Sequence, residues 1–255
     1  MIKRKSSREI EMMRRAGKIA AAARLIAGNM VTVGATTQSI NRKVHEYITS
    51  HGATPAFLNY NGFPASICIS VNEQVIHGLP SSRKLLEGDV VSIDVGALKD
   101  GFIGDCAATF IAGKGNSEAI RLIEVTRECF YEGLRFARVG YRVSDISRAI
   151  QQYAERHGYS LVREYVGHGV GAKMHEPPEV PNYIETPRKK ADPRLLSGMT
   201  LAVEPMVNEG GAAIRILDDG WTVVTADGKN SAHYENTILI TDDAPEILTV
   251  CEGQL

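Results

Sequence analysis

The chain has 255 residues, 44% of them hydrophobic and 23% charged, with a formal net charge of -1. Such values exclude the disordered, fibrous and membrane classes, and near-neutrality gives no electrostatic reason to expect DNA, other nucleic acid or a membrane as main partner. The length fits one large α/β domain or two small ones.

The four cysteines, Cys68, Cys106, Cys129 and Cys251, show neither CxxC spacing nor the framework of a small secreted domain, which predicts reduced thiols in a cytoplasmic protein. Basic Lys3, Arg4 and Lys5 precede a partly apolar stretch at 19–27, superficially like a signal peptide. Arg14, Arg15, Lys18 and Arg24 interrupt it, and no transmembrane span is long enough.

Ser6 to Glu9 spells a capping box, S-x-x-E, ahead of Ile10, Met13, Ala16, Ile19, Ala20 and Ala23 at helical spacing, with Gly28 as the stop. The opposite face of this predicted helix carries Arg8, Arg14, Arg15 and Lys18, either a solvated face or a ribosome contact. A second helix is expected over 37–51, closed by Gly52, followed by β-rich sequence over 66–76.

Two apolar strands are expected over 90–97 and 102–111, around an Asp100-Gly101 turn signal. Each carries one central acid, Asp94 and Asp105. A four-residue loop over 98–101 would set the acids directly opposite, with Cβ atoms roughly 5 Å apart. A two-residue Asp100-Gly101 loop would pair Asp94 with Ala107 and leave the acids diagonal.

Helices over 116–137 and 144–157 follow. Residues 33–52 and 139–158 match at constant offset in Val33/Val139, Gly34/Gly140, Ile40/Ile146, Arg42/Arg148, Tyr47/Tyr153, His51/His157 and Gly52/Gly158. This suggests a duplicated unit, with halves 1–112 and 113–255 in a single domain and the site at their junction. The second half continues with predicted strands over 200–207, 221–226 and 231–241, which place Glu204 and Glu235 centrally among apolar residues.

Four acids inside apolar strands are expected to be paired or to coordinate cations. Clustered oxygen ligands suit Mg²⁺, Ca²⁺ or Mn²⁺, and an added imidazole shifts the preference toward Mn, Fe, Co or Zn. His45, His51 and His157 fall on predicted helices, where structural roles are expected. His77 ends a strand, His168 and His175 lie in a glycine-rich connection, and His233 precedes Glu235 by two residues, as neighbour or packed polar group.

With these residues assembled, the segments NEQVIHGLP, VSIDVGALKDGFIGDCAATF, GHGVGAKMHEPP, LAVEPM and YENT resemble, in order and spacing, the type I methionine aminopeptidases of the bacterial kind, of the pita-bread fold family. The resemblance spans nearly the whole chain. It implies an α/β fold of the α+β type, with a pseudo-twofold repeat and a curved antiparallel sheet covered by helices.

It further implies that Asp94, Asp105, His168, Glu204 and Glu235 hold two divalent metal ions, with Asp105 and Glu235 bridging, Asp94 on one ion, and His168 and Glu204 on the other. By the same resemblance His77 and His175 contact substrate, Glu204 moves the proton, and Tyr60, Phe63, Cys68, Met174, Met206 and Trp221 line a methionine pocket. Phe57, Asn61, Phe63 and Met174 depart from the commonest pattern, which changes pocket shape and not chemistry.

The implied activity is removal of the N-terminal methionine from peptides and nascent chains with a small second residue, by a cytoplasmic monomer. The absence of a zinc-finger extension favours the bacterial type. Rival readings are a Xaa-Pro aminopeptidase or prolidase, whose usual extra N-terminal domain has no room here, and a non-catalytic pita-bread binding module, which typically lacks a ligand. The charged segment 187–194 is read as a solvated loop, with a ribosome contact as the alternative.

Overall fold

The computed structural model describes residues 2–184 and 192–251. Most of the segment 187–194, read above as a solvated loop, therefore lies outside the described residues. Four helices are present, α1 (Ser7–Asn29), α2 (Thr37–Ser50), α3 (Ser117–Leu134) and α4 (Val143–Arg156). The strands of the first half are β1 (Thr54–Pro55), β2 (Cys68–Val71), β3 (Gln74–Ile76), β4 (Val90–Lys99) and β5 (Phe102–Ile111). Those of the second are β6 (Ser160–Leu161), β7 (Gly167–Gly169), β8 (Glu176–Val180), β9 (Thr200–Val203), β10 (Met206–Asn208), β11 (Ile214–Ile216), β12 (Val223–Thr225), β13 (Ser231–His233), β14 (Glu235–Leu239) and β15 (Glu246–Ile247).

Local chemistry sets the helix starts. Ser6 closes the capping box of α1, its backbone N–H donating to Glu9 Oε2 at 2.7 Å and its hydroxyl accepting from the Glu9 amide. Asn116 caps α3 in the same manner. The start of α4 is capped from a distance, since Asp192 accepts from both the amide and the hydroxyl of Ser144.

The main sheet runs β1-β4-β5-β14-β9-β7-β8, with β2 on β4 and β15 on β14, and its pairings are antiparallel. Within the main sheet, first-half and second-half strands meet at one seam, β5 against β14, through Glu235↔Ala107 and Asn236↔Cys106, and β3 of the first half also pairs with β12 of the second in a smaller sheet. Separate apolar cores lie on the two sides. Ile40, Val44 and Ile48 of α2 pack with Val91, Ile93 and Val95 of β4, whereas Phe130, Ile146 and Ile150 of α3 and α4 pack with Leu201 and Ile238.

Helix α1 lies across β4 and β5, and a glycine pair permits its closest approach. A Cβ on Gly104 would collide with the backbone of Ala16 and Gly17.

The repeat seen in the sequence recurs in the contacts. Tyr47 and His51 rings lie 4.2 Å apart at the end of α2, with His51 Nδ1 2.8 Å from the Tyr47 carbonyl; Tyr153 and His157 repeat both distances at the end of α4. Likewise the Leu85 amide donates to Ala35 O at 2.8 Å, and the Leu195 amide to Tyr141 O at 2.9 Å. Leu85 and Leu195 each stand nine residues before an acid, Asp94 and Glu204.

Two expectations are corrected. The β4–β5 hairpin pairs Lys99 with Phe102 and Asp94 with Ala107, so the four-residue loop that would set Asp94 opposite Asp105 is not formed. Asp100 and Gly101, at φ 52° and 81°, form the two-residue turn, both with the positive φ that a type I′ turn requires. Leu98 and Lys99 remain in strand, where the Lys99 ammonium donates to the His51 and Gly52 carbonyls at the end of α2.

Nor are Glu204 and Glu235 central in their strands. The expected strand 200–207 breaks at Glu204-Pro205 into β9 and β10, and 231–241 breaks at Tyr234 into β13 and β14. In each case the chain leaves one sheet for another, β10 and β13 pairing with each other away from the main sheet. Proline cannot donate to a ladder, which explains the first break.

Candidate metal and peptide site

The seam and the two strand breaks bring the acids together. Asp105 and Asp94 lie diagonally on one face of the hairpin, Glu235 starts β14 beside Ala107, and Glu204 sits at the β9–β10 break. Single ligand atoms of Asp105, His168 and Glu235 all lie within 4.8 Å of one another. His168 Nε2 is 3.4 Å from Glu204 Oε1 and 4.0 Å from Asp105 Oδ2.

The electrostatics are those of a site built for cations. Burial pushes the Asp105 carboxyl up to about 7. Asp94 is pushed well up by burial and then by the Asp105 charge; Glu204 and Glu235 are raised by burial and by their neighbouring carboxylates. Asp94 Oδ1, Asp105 Oδ1, Glu204 Oε1 and Glu235 Oε1 are buried and make no hydrogen bond. Native structures seldom leave buried oxygens so.

His168 is held ready to ligate. Its Nδ1 lies 2.9 Å from the Gly169 carbonyl, which can only accept, so the proton sits on Nδ1 and the Nε2 lone pair faces the acids. Burial, with the nearby His175, holds its pKa down to about 4, so the short contact with Glu204 is no ion pair at neutral pH. Four carboxylates and one neutral imidazole, with orphaned oxygens turned inward, fit divalent cations.

Beside the acids lies a cavity of about 290 Å³, whose wall includes Tyr60, Phe63, Cys68, His77, Met174, His175 and Trp221. Phe63 and Trp221 meet edge to face at 5.2 Å. His175 Nδ1 is 2.7 Å from the Tyr60 hydroxyl, and its ring lies 4.3 Å from that of His168. His77 adopts φ 58° and packs edge-on against Tyr165 at 5.4 Å; burial, then His175, holds its pKa down to about 4. Burial and the Asp94 and Asp105 carboxylates push the Cys68 thiol well up, leaving it a neutral wall group.

Met206 is not part of this wall. It lies in β10 opposite His233, fully buried in a separate cluster with Val75, Val162 and Val223. The break at Pro205 turns the chain out of the cavity before Met206 is reached. His233 is buried with Nε2 unpartnered and lines no part of the cavity. His45 binds Ser66 from α2, as its helical position predicted.

The sequence reading missed Ile76, Tyr165 and Val166 in the wall, and it gave Phe57 and Asn61, which also line it, only as departures that change pocket shape. Tyr165 precedes His168 by three residues in a glycine-rich connection, the one signal that could have found it.

The family model for metallopeptidase family M24 matches residues 11–242. A methionine aminopeptidase of Clostridium perfringens is 53% identical over 250 residues, covering 98% of this chain and 99% of its own. One from Bacillus subtilis is 47% identical over 249 residues, with 98% and 99% covered. The crystal structure of methionine aminopeptidase from Thermotoga maritima aligns with TM-score 0.94 at 43% identity, over 98% of this chain and 99% of that one. The prolidase of Pyrococcus furiosus shares the fold, with TM-score 0.76 at 24% identity over 66% of its length. Full-length identity of this order joins the acids, histidines and cavity to one family: the chain belongs to metallopeptidase family M24, among its methionine aminopeptidases.

Proposed function

We propose that Asp94, Asp105, His168, Glu204 and Glu235 hold two divalent cations, and that the adjoining cavity receives the N-terminal methionine of a peptide or nascent chain. The observation that carries the reading is the set of four buried carboxylate oxygens without partners, gathered around one neutral imidazole. Mn, Fe, Co and Zn all suit that donor set. When bound, such cations supply an acidified water and a Lewis acid for the scissile carbonyl, the chemistry general to two-metal aminopeptidases.

The chain's own groups do the rest. The Glu204 carboxylate accepts the water's proton and returns it to the departing amine. The Tyr60 hydroxyl, 2.7 Å from His175 Nδ1, holds the imidazole so that its Nε2 can donate to charge developing on the carbonyl oxygen. His77, kept neutral by burial, stands near the leaving nitrogen. The free α-amino group of the substrate would bind the cation that Asp94 holds, which would confine cleavage to the first residue.

Phe63, Met174 and Trp221 offer the adaptable aromatic and thioether contacts that a methionine side chain prefers. A single domain acting as a cytoplasmic monomer belongs to the same proposal; no helix among the described residues is long and apolar enough to cross a membrane. The basic face of α1 keeps a ribosome contact as a subsidiary reading.

The deciding experiment measures methionine release from Met-Ala-Ser and Met-Leu-Ser by chelator-stripped protein supplied with Mn²⁺, Fe²⁺, Co²⁺ or Zn²⁺. Cation-dependent cleavage of the first peptide alone is expected. Cleavage of Ala-Pro with Met-Ala-Ser untouched would overturn the reading in favour of a proline-specific enzyme.

A further inference from the structure

Alternation along the strands places Asp105 and Glu235 on the catalytic face, and Ala108, Phe110 and Asn236 on the other. On that other face, α1, α3 and the 247–250 segment help enclose a second cavity of about 250 Å³. Among the described residues no acidic side chain lines it.

Its most buried polar group is Arg24, 8% exposed. All three of its hydrogen bonds leave from Nη1, to Ala107 O at 3.3 Å, Glu235 O at 3.0 Å and Asn236 Oδ1 at 3.1 Å. Among the described residues, Nε and Nη2 have no acceptor and no carboxylate pairs with the guanidinium. A buried cation lacking an anion is costly, and neutral carbonyls compensate its charge only in part.

The remaining polar wall is of matching sign. Arg127 enters from α3, its guanidinium held by the neighbouring Glu128 at 2.9 Å. The Tyr131 and Tyr234 hydroxyls stand 3.4 Å apart in the same cavity.

We infer that this cavity is a binding site for a small oxyanion of the phosphate type. Arg24, Tyr131 and Tyr234 bring N–H and O–H donors to one cavity, with Arg127 beside them already paired with Glu128, and Arg24 Nε and Nη2, unengaged among the described residues, suit a bidentate oxyanion. Water alone would hydrate those positions and leave the charge unmatched. The site reaches the catalytic face through one residue, since Arg24 also holds the Glu235 carbonyl.

The test is titration of the cation-loaded protein with inorganic phosphate at ionic strength matched with chloride, followed by calorimetry and thermal unfolding. Phosphate also meets divalent cations directly, so the comparison is with Arg127→Gln/Tyr131→Phe, two changes on α3 that touch no proposed ligand. Expected are saturable binding to the wild type, an apparent Kd raised about tenfold or more in the double variant, and equal turnover of the two proteins in phosphate-free buffer. Identical phosphate response in both proteins would place the anion elsewhere and overturn the inference, as would the absence of any response at millimolar phosphate. Arg24→Lys is a further arm, expected to abolish the phosphate response while a melting transition persists.

Discussion

Lys5 Nζ donates to Glu176 Oε2 over 2.8 Å with both side chains about 95% shielded from solvent, which fastens the N-terminal segment to the residue that follows His175. Glu176 Oε1 also accepts from the Lys173 amide, and the Lys5 amide donates to Gly198 O. Removing one member of a buried pair strands the other, so Lys5→Met is expected to lose about 3–5 kcal/mol in urea unfolding and to slow turnover by loosening the 169–176 connection. An unchanged unfolding free energy would show the strap to be idle. Burial raises the Glu176 carboxyl, but Lys5 overcomes it and the net shift is downward. The pair's contribution is thus complete above the ordinary glutamate pKa and lost as pH falls through the lowered one.

The acid cluster has the opposite sign. With Asp94, Asp105, Glu204 and Glu235 all raised, the cation-free protein binds more protons folded than unfolded. Its stability is expected to fall as pH rises from the ordinary carboxyl range through about 7, the Asp105 value. Divalent cations should abolish that slope and release protons on binding. Melting temperatures of chelated and loaded protein between acid and mildly alkaline pH check this; parallel curves would contradict it.

Asp105→Asn and His175→Ala separate holding from stabilising. Asp105→Asn removes one buried charge, so the stripped variant should melt above stripped wild type at alkaline pH while binding fewer cations and losing turnover. His175→Ala should keep the full cation complement and lose about 10²-fold in kcat. Metal analysis beside kinetics distinguishes them, and loss of cations from His175→Ala would make it a ligand instead.

Met206 and Trp221 give a second contrast. Met206→Ala in its closed cluster should cost about 2–5 kcal/mol of stability with KM for Met-Ala-Ser little changed. Trp221→Ala, on the cavity wall, should raise KM with a smaller loss of stability. A raised KM for Met206→Ala would return that side chain to the pocket.

The helices were legible because their signals are local: Ser6 with Glu9, Asn116, and the glycines after His51 and His157 act within a turn or two. The acids were legible as a group because ionised side chains in apolar runs are rare. The hairpin register was not, since Lys99 reads equally as loop or strand until α2 supplies carbonyls for it. The break at Glu204 was signalled by Pro205, which cannot donate to a ladder, whereas the break at Tyr234 has no such local signal. Met206 enters the pocket by resemblance alone, and nothing in the sequence shows that it packs with Val75, Val162 and Val223 instead of lining the cavity. Arg24 read as an ordinary charge on the first helix, since nothing in its neighbours announces that it is buried against the β5–β14 seam.

Within the main sheet that seam joins the halves by two residue pairs, and the proposed ligands divide across it, Asp94 and Asp105 on one side, His168, Glu204 and Glu235 on the other. A cation held by Asp105 and Glu235 would therefore tie together chain positions far apart in sequence, as a disulfide does in secreted domains, by closing a long loop in the unfolded ensemble. Unlike a disulfide, this tie can be withdrawn by dilution, so the metal supply sets how firmly the two sides of the sheet are fastened as well as whether the cavity can act.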